Sequence, residues 1–189
     1  MGRKRVISED QVLDAAVRVV VKRGAGRLTI EAVALEAGIS KASVIYLFKT
    51  KKGLIQAVVD RIISADIATN ETSINELEGV KDAVIRGRIL AARDMMTDAF
   101  RSVGLNLCAS IANDPKLRRQ GKDYMKRTVE RIRKTSAHPR RAMLALLALE
   151  GVKLLELIDW HTWTAIERKR LLKDIEWLIQ TDPKNCDHG

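Results

Sequence analysis

Cysteine and proline are scarce in this chain of 189 residues. The two cysteines, Cys108 and Cys186, are too few and too far apart for a disulfide framework or a zinc site. A chain of this length can remove roughly 70% of its unfolded surface from water, so it needs no disulfides to fold. None of the three prolines precedes Pro115, and helix-forming residues dominate the composition. These features favour a helical protein in a reducing compartment.

Long apolar segments are also absent. The longest strongly apolar run, residues 142–149, is far below the roughly 20 residues that a bilayer-spanning helix needs. Residues 1–5 are not followed by the apolar core of a signal peptide, and Val6 stands where a myristoylation site needs Ser or Thr. We therefore expect a cytoplasmic protein that is neither secreted nor inserted in a membrane.

Acidic residues are outnumbered by basic ones. The chain has 34 Lys and Arg against 24 Asp and Glu, a net charge of +10, which attracts polyanions such as nucleic acid or an anionic membrane surface. Residues 1–60 hold 11 of the basic and 6 of the acidic residues, and are the more basic part per residue. Residues 113–141 hold 11 basic and 3 acidic residues. That second stretch is either a solvated helix face or a further contact with nucleic acid or an acidic ligand.

Apolar residues recur at helical spacing along most of the chain, and we find no strand pattern. Ser8, Thr29 and Ser40 are the predicted N-caps of the first three helices, and Asp114-Pro115 is a typical helix start. Polar residues 69–78 predict a loop at the boundary between an N-terminal module and the rest. The fold class is therefore all-α, with helices predicted over residues 9–23, 30–37, 41–48, 51–67, 80–96, 97–112, 115 onward, 139–159 and 165–180.

The segment from Ile30 to Leu47 has the features of a helix-turn-helix. Ala34 is small enough for a second helix to cross closely, and Gly38 can supply the positive φ of the turn. Ile39 can fill the junction, while Val44 and Leu47 return apolar side chains to the first helix. These features seldom occur together by chance.

The outer face of the second of these helices carries short or polar groups at its N-terminal end, where a recognition helix meets base edges. Tyr46 and Lys51 are suited to phosphates, as are the free N–H groups of the helix that follows Thr50. The alternative is a solvated charged helix that binds nothing. Arg3, Lys4 and Arg5 form either a minor-groove arm or a solubilising tail. The predicted DNA-binding residues are Thr29, Ser40, Lys41, Ala42, Ser43, Tyr46, Thr50 and Lys51.

Residues 11–58 resemble the DNA-binding module of the TetR family of bacterial transcriptional regulators. The resemblance rests on a first helix that ends at a glycine, followed by Leu-Thr, Val-Ala, Ala-Gly-Ile-Ser and a Lys-rich start of the fourth helix. The chain departs from the family pattern in three places. Ala42 replaces a usual Gly, Ile45 stands where Tyr is common, and Leu47 stands where Tyr or His is common. The loss of that Tyr removes one phosphate contact of the family, which the neighbouring Tyr46 can take over. The matching segments are Gly24, Leu28-Thr29, Val33-Ala34, Ala37-Gly38-Ile39-Ser40, 41–48 and Lys49-Thr50-Lys51.

This resemblance implies a three-helix DNA-binding module over residues 1–60, joined by a fourth helix to a helical regulatory and dimerisation domain over residues 61–189. It also implies a homodimer that binds a pseudo-palindromic operator in double-stranded DNA. A protein of this kind acts as a repressor that a small effector releases from its operator. The alternative is a DNA-bound protein that acts through a protein partner and has no small effector. Either form would be associated with the nucleoid.

The helix predicted over residues 139–159 is apolar nearly all round, so it must be buried on more than one side. One side can face its own domain, and the other needs a second subunit. Together with the last helix, residues 165–180, it would form the four-helix dimer interface that the resemblance implies. Two-fold symmetry would then place two recognition helices about 34 Å apart. A larger monomeric core is the alternative.

A cavity for an apolar or amphipathic effector would lie among the helices of residues 80–160. Its candidate lining includes adaptable Met side chains, although each candidate is also an ordinary core residue. The predicted effector residues are Met95, Met96, Phe100, Cys108, Tyr124, Met125 and Trp160.

Catalytic and metal-binding patterns are missing. His138, His161 and His188 lack metal-ligand spacing, and no glycine-rich phosphate loop or activated nucleophile is recognisable. Asp159 and His161 lie two residues apart, so on a helix they would point to different sides. We therefore expect no enzyme activity, no cofactor and no metal.

Overall fold

The computed structural model describes residues 8–94, 101, 112 and 114–180. Over these residues it contains eight α-helices, one 3₁₀ turn (Ala25–Arg27) and no strand, which confirms the all-α class. The helices are α1 (Glu9–Arg23), α2 (Ile30–Ala37), α3 (Lys41–Phe48), α4 (Lys51–Asn75), α5 (Ala83–Ala91), α6 (Pro115–Thr135), α7 (Pro139–Leu157) and α8 (Ala165–Gln180).

Local capping explains why the first three helices begin where they do. Ser8 forms a capping box with Gln11, in which the Gln11 N–H donates to Ser8 Oγ at 3.3 Å and the Ser8 N–H donates to Gln11 Oε1 at 3.1 Å. The Ala32 N–H donates to Thr29 Oγ1, and the Ser43 N–H donates to Ser40 Oγ, both at 3.1 Å. The predicted N-caps and bounds of these helices are confirmed.

The described chain divides into two compact units. The first comprises residues 8–65, 101, 112 and 114–118, and the second comprises residues 66–94 and 119–180. In the first unit, α1, α2, α3 and the start of α4 share one apolar core. Its most deeply buried members include Val12, Val33, Val44 and Leu54. This core fixes the orientation of α3, because both Val44 and Phe48 on α3 are buried in it.

The fourth helix is longer than predicted. Residues 69–78 do not form the predicted loop, because α4 continues to Asn75. Polar composition misled the prediction: Asn70 is buried and donates from Nδ2 to the Asp66 carbonyl at 2.7 Å, and Ile74 packs in the core of the second unit. The next helix begins at Ala83 rather than Val80. The helix predicted over residues 97–112 lies outside the described residues, apart from two isolated positions.

The predicted helix start at Asp114-Pro115 is confirmed, and the Lys116 N–H donates to Asp114 Oδ1 at 2.8 Å. The helix that begins at Pro139 and the final helix are also confirmed.

The second unit has its own apolar core, to which α5, α7 and α8 contribute Ile85, Leu146, Leu149 and Ile175 among others. Gly87 on α5 allows a close helix crossing, since a Cβ atom there would lie 2.5 Å from Ile74 Cα. A buried ion pair accompanies this core. Arg168 Nε on α8 donates to Glu156 Oε1 on α7 at 2.7 Å.

The interior of the second unit also contains a buried arginine. Arg88 is 2% exposed, donates from Nη1 to the Tyr124 hydroxyl at 2.9 Å, and pairs through Nη2 with Glu150 at 2.5 Å. Burial raises the pKa of Tyr124. This part of the second unit therefore holds hydrogen-bonded polar side chains beside the apolar core.

Candidate nucleic-acid interface

The turn between α2 and α3 has the geometry of a helix-turn-helix. Gly38 adopts the left-handed conformation, with φ 67° and ψ 35°, which glycine reaches without a Cβ clash. The Gly38 N–H donates to the Leu35 carbonyl and the Ile39 N–H to the Ala34 carbonyl, at 3.2 and 3.0 Å. Ala34 is buried at the crossing. The predicted roles of these residues in the turn are confirmed.

The α3 helix turns one face inward and the other to solvent. Val44 is fully buried, and Leu47 is partly buried against the same core. The outward face presents four of the predicted DNA-binding residues, and Tyr46 among them is 75% exposed. Packing of the inward face therefore brings the following side chains together on one accessible surface: Lys41, Ala42, Ser43 and Tyr46.

Contacts between side chains of the protein orient this surface. The hydroxyls of Ser40 and Ser43 lie 2.8 Å apart, and Lys49 Nζ lies 4.8 Å from the centre of the Tyr46 ring. Lys41 forms an ion pair with Glu31 on α2. The hydrogen bond from Lys41 lowers the pKa of Glu31, so Glu31 is ionised at neutral pH. The base-facing lysine of the predicted interface thus has an anionic partner within the protein.

The corner between α3 and α4 exposes the start of a helix. Thr50 caps α4, because the Gly53 N–H donates to Thr50 Oγ1 at 3.0 Å. The first N–H groups of a helix have no intrahelical partner and favour anions. The exposed side chains of Lys51 and Lys52 stand at this end. The corner therefore has the composition of a phosphate site, and phosphate binding by Thr50 and Lys51 stays a prediction.

Several other cations of the first unit are paired with carboxylates. Arg18 and Lys22 both pair with Glu36 at 3.0 Å, and these contacts lower the pKa of Glu36, with that to Lys22 the largest. Arg61 pairs with Asp10 and Asp14. By contrast, Lys49, Lys51 and Lys52 form no ion pair with any residue that the structure describes. Three cations without an ion-pair partner therefore lie at the corner after α3, which suits a surface that meets phosphates.

Three features of this surface were not predicted from the sequence. Glu31 lies ten residues before Lys41, and no local spacing rule links the two. Lys49 has φ 63°, and its ammonium lies over the Tyr46 ring. A Cβ atom at Gly53 would clash with the Phe48 carbonyl oxygen. Only the run of lysines at 49, 51 and 52 carried a signal that sequence reasoning could have used.

The predicted effector residues, unlike those of the DNA-binding surface, are not brought together on one described surface. Met95, Met96, Phe100 and Cys108 lie outside the described residues. Tyr124 is buried, and Met125 packs partly buried against the second core. Trp160, in contrast, is 78% exposed in the single chain. A shared pocket of these residues stays a prediction.

Clusters of metal-ligating side chains are not found in the described ranges. Within residues 8–94 and 114–180, no cluster of three His, Cys, Asp or Glu could hold a metal ion. His161 is exposed, and its ring lies 4.1 Å from that of Trp163. No helix described by the structure is long and apolar enough to cross a membrane.

These features define a helix-turn-helix DNA-binding protein with a separate helical unit. Residues 12–58 match the family model of the bacterial regulatory proteins of the tetR family. Residues 82–180 match the model of the tetracyclin repressor-like C-terminal domain. The chain therefore belongs to the TetR family of transcriptional regulators, whose members are generally DNA-binding proteins without enzymatic activity. No curated protein matches it in sequence.

Solved structures share the fold at low sequence identity. The multidrug binding protein EbrR complexed with malachite green is 19% identical, with a TM-score of 0.60 over 93% of this chain and 98% of that chain. A protein of Saccharomonospora viridis solved in complex with choline is 18% identical, with a TM-score of 0.67 over 87% and 93%. The TetR-family member SCO1917 from Streptomyces coelicolor A3 is 18% identical, with a TM-score of 0.55 over 88% and 96%.

Proposed function

We propose that the protein is a dimeric repressor that occupies a pseudo-palindromic operator in double-stranded DNA and blocks polymerase until a small effector releases it. The observation that carries this proposal is the exposed face of α3 beside the capped, lysine-rich start of α4. Residues 1–60 would form the DNA-binding domain, and residues 61–189 the regulatory and dimerisation domain. Binding to genomic DNA would place the protein at the nucleoid in the cytoplasm.

The exposed residues of this surface divide by chemistry into two roles. Lys41, Ala42 and Ser43 would face base edges, where Lys donates to guanine, Ser bonds in either sense and the Ala methyl meets a thymine methyl. Tyr46 and Lys51 would hold phosphates, with the N–H groups behind Thr50. Thr29 and Ser40 would support the interface as N-caps of α2 and α3, since their hydroxyls are already bonded to backbone N–H groups.

Exposed apolar side chains on α7 and α8 support the dimer. Leu144, Leu147 and Leu154 lie on one face of α7 and are at least half exposed in the single chain. On α8, Ile166 and Trp177 are exposed as well. Apolar surface of this extent on neighbouring helices favours association with a second copy.

The ligands of the solved relatives support effector binding. Malachite green and choline, the ligands of the solved relatives, are small organic cations with apolar parts. We propose an apolar or amphipathic effector for this protein too. Nearly complete release requires that the effector prefer the non-binding form by roughly 5 kcal/mol. A protein partner in place of the effector is the second candidate, and a regulatory core with no cavity would favour it.

Selection from a random duplex library, followed by footprinting on genomic DNA, tests the proposal. We expect an enriched site with two-fold symmetry and half-sites about 34 Å apart. Retarded bands should then appear with that duplex in dilute buffer. Enrichment of no sequence over the starting library would contradict sequence-specific binding.

Replacement of Lys51 by Ala should weaken binding to every duplex by a similar factor, because a phosphate contact is not specific to sequence. The slope of log affinity against log salt should fall by about one unit. Fluorescence anisotropy at several salt concentrations measures both effects. Lys22→Ala is the matched control, since Lys22 is exposed but already paired with Glu36. An unchanged slope in Lys51→Ala would remove this residue from the interface.

Substitutions of Lys41 or Ser43 by Ala should instead change which bases are preferred. Loss of one good base contact costs about 1–3 kcal/mol at the position it reads and little elsewhere. Repeating the library selection with each variant shows the altered position in the enriched site. The same proportional loss for all sites would contradict the assignment of these residues to base edges.

Glu31→Gln should strengthen binding to non-operator DNA, because it frees Lys41 from its internal carboxylate partner. The salt slope should become steeper by about one unit, and the affinity ratio between operator and non-operator duplex should fall. Glu78→Gln changes the net charge equally at an exposed site in the turn after α4 and serves as the control. Equal changes of affinity and salt slope in both variants would show that the net charge, and not the release of Lys41, alters DNA binding.

A further inference from the structure

A groove of about 400 Å³ lies between α5 and α8 in the second unit. On α8, its lining residues recur at intervals of three and four from Ala165 to Glu176, so they share one helix face about 16 Å long. The opposite wall is formed by Ile89 on α5 and by Arg93, which follows the C-terminal end of that helix. The volume is within the usual range of small-molecule sites.

The rim of this groove is positively charged. Arg93, Lys169 and Lys173 line it, are exposed, and have no ion-pair partner in the described part of the chain. The single carboxylate among the lining residues, Glu176, already accepts a hydrogen bond from Arg86 Nη1 at 2.7 Å. The groove therefore keeps three positive charges without internal compensation, and such a concave site attracts anions.

The floor combines apolar surface with a fixed hydrogen-bond donor. Ile89 and Leu172 are buried there. Arg168, also buried, donates from Nε to Glu156 and from Nη1 to the carbonyls of Ala92 and Arg93, at 2.5 and 3.1 Å. These three hydrogen bonds fix the guanidinium at the floor of the groove.

We propose that this groove binds a small organic anion, with its acidic group among Arg93, Lys169 and Lys173 and its apolar part on Ile89 and Leu172. Carboxylates and phosphate monoesters share the required chemistry. The inference goes beyond the proposed function, because it requires neither DNA nor the predicted effector residues. Ile166 and Trp177, which belong to the proposed dimer surface, are not among the lining residues.

Isothermal titration calorimetry of the full chain tests the assignment with four probes below their micelle concentrations: octanoate, octyl phosphate, octylammonium and acetate. We expect saturable binding of octanoate, octyl phosphate or both. We expect octylammonium not to bind, and acetate to bind at least about tenfold more weakly than octanoate, about 1.4 kcal/mol less. Octylammonium binding as tight as that of the anions, or no binding of either octyl anion, overturns the proposal. Acetate binding as tight as that of octanoate overturns the apolar half of the site.

Charge-removing variants locate the site. Lys169→Gln with Lys173→Gln should weaken binding of the octyl anions at least about tenfold, or about 1.4 kcal/mol. The control pair, Arg133→Gln with Lys134→Gln, removes the same charge from exposed positions on α6 and should leave the affinity within about twofold. Equal affinities of the two double variants overturn the location. Operator binding is measured on the same preparations, so that failure of the groove is distinguishable from failure of DNA binding.

Discussion

Leu147→Glu is expected to convert the protein from a dimer to a monomer at micromolar concentration and to abolish stable operator binding. In the single chain, Leu147 is 62% exposed at the middle of the apolar face of α7. A dimer formed through this face would bury the new carboxylate of each subunit without a partner, which costs several kcal/mol. The dissociation constant of the dimer should therefore rise at least about 100-fold, equivalent to about 2.7 kcal/mol.

Operator affinity should fall when the dimer dissociates. A monomer engages only one half-site and loses the effective concentration that a linked second module provides. Sedimentation velocity gives the oligomeric state, and anisotropy with the selected operator gives the affinity. Circular dichroism establishes that the helices are retained.

Val80→Glu is the matched control for this variant, since Val80 is an apolar residue exposed to 48% in the turn before α5. It should remain dimeric. A Leu147→Glu protein that sediments like the unchanged chain and binds the operator equally well would place the dimer interface elsewhere.

The DNA-binding module was predictable because its signals are local. Ser8, Thr29 and Ser40 each cap a helix through a backbone N–H within three residues, and Gly38 supplies a positive φ where the turn requires it. Interactions over such short separations can be read from the chain without knowledge of its tertiary structure. The same holds for the helix start at Asp114-Pro115.

The polar stretch after residue 68 was mispredicted for the opposite reason. Its composition resembles a loop, yet Asn70 and Ser73 become buried and Ile74 packs against α5. Whether a polar residue is tolerated inside depends on partners that only the folded chain provides, here the carbonyl of Asp66. Tertiary packing therefore extended the helix beyond what local polarity predicts.

The ion pair between Lys41 and Glu31 could not be predicted from the sequence for the same reason. Lys41 was predicted at the surface on helical periodicity, but its ion pair with Glu31 joins two helices across the turn. Charge counting identified the basic module, whereas the distribution of free and compensated cations within it depends on three-dimensional proximity. The cationic groove between α5 and α8 likewise combines residues about 80 positions apart in the sequence.

Gly87→Ala is expected to destabilise the second unit by about 2 kcal/mol. The added Cβ atom would lie 2.5 Å from Ile74 Cα and 2.7 Å from Ile74 N, and a backbone cannot move aside as a flexible side chain can. Overpacking of this kind typically costs about 1–3 kcal/mol, and more where the neighbours cannot relax. The gain of about 1 kcal/mol from replacing a helical glycine offsets part of it.

Gly121→Ala supplies the control, because Gly121 is exposed within α6 and an added Cβ atom there would have no neighbour within 4 Å. That variant should be more stable than the unchanged chain by about 0.5–1 kcal/mol. Urea denaturation at one fixed protein concentration compares the two, since the stability of a dimer depends on concentration. The two substitutions are chemically identical, so opposite signs would isolate the helix crossing as the cause. Similar stabilities for the two variants would show that α4 and α5 can separate at Ile74 without cost, and that the close approach at Gly87 does not hold this unit together.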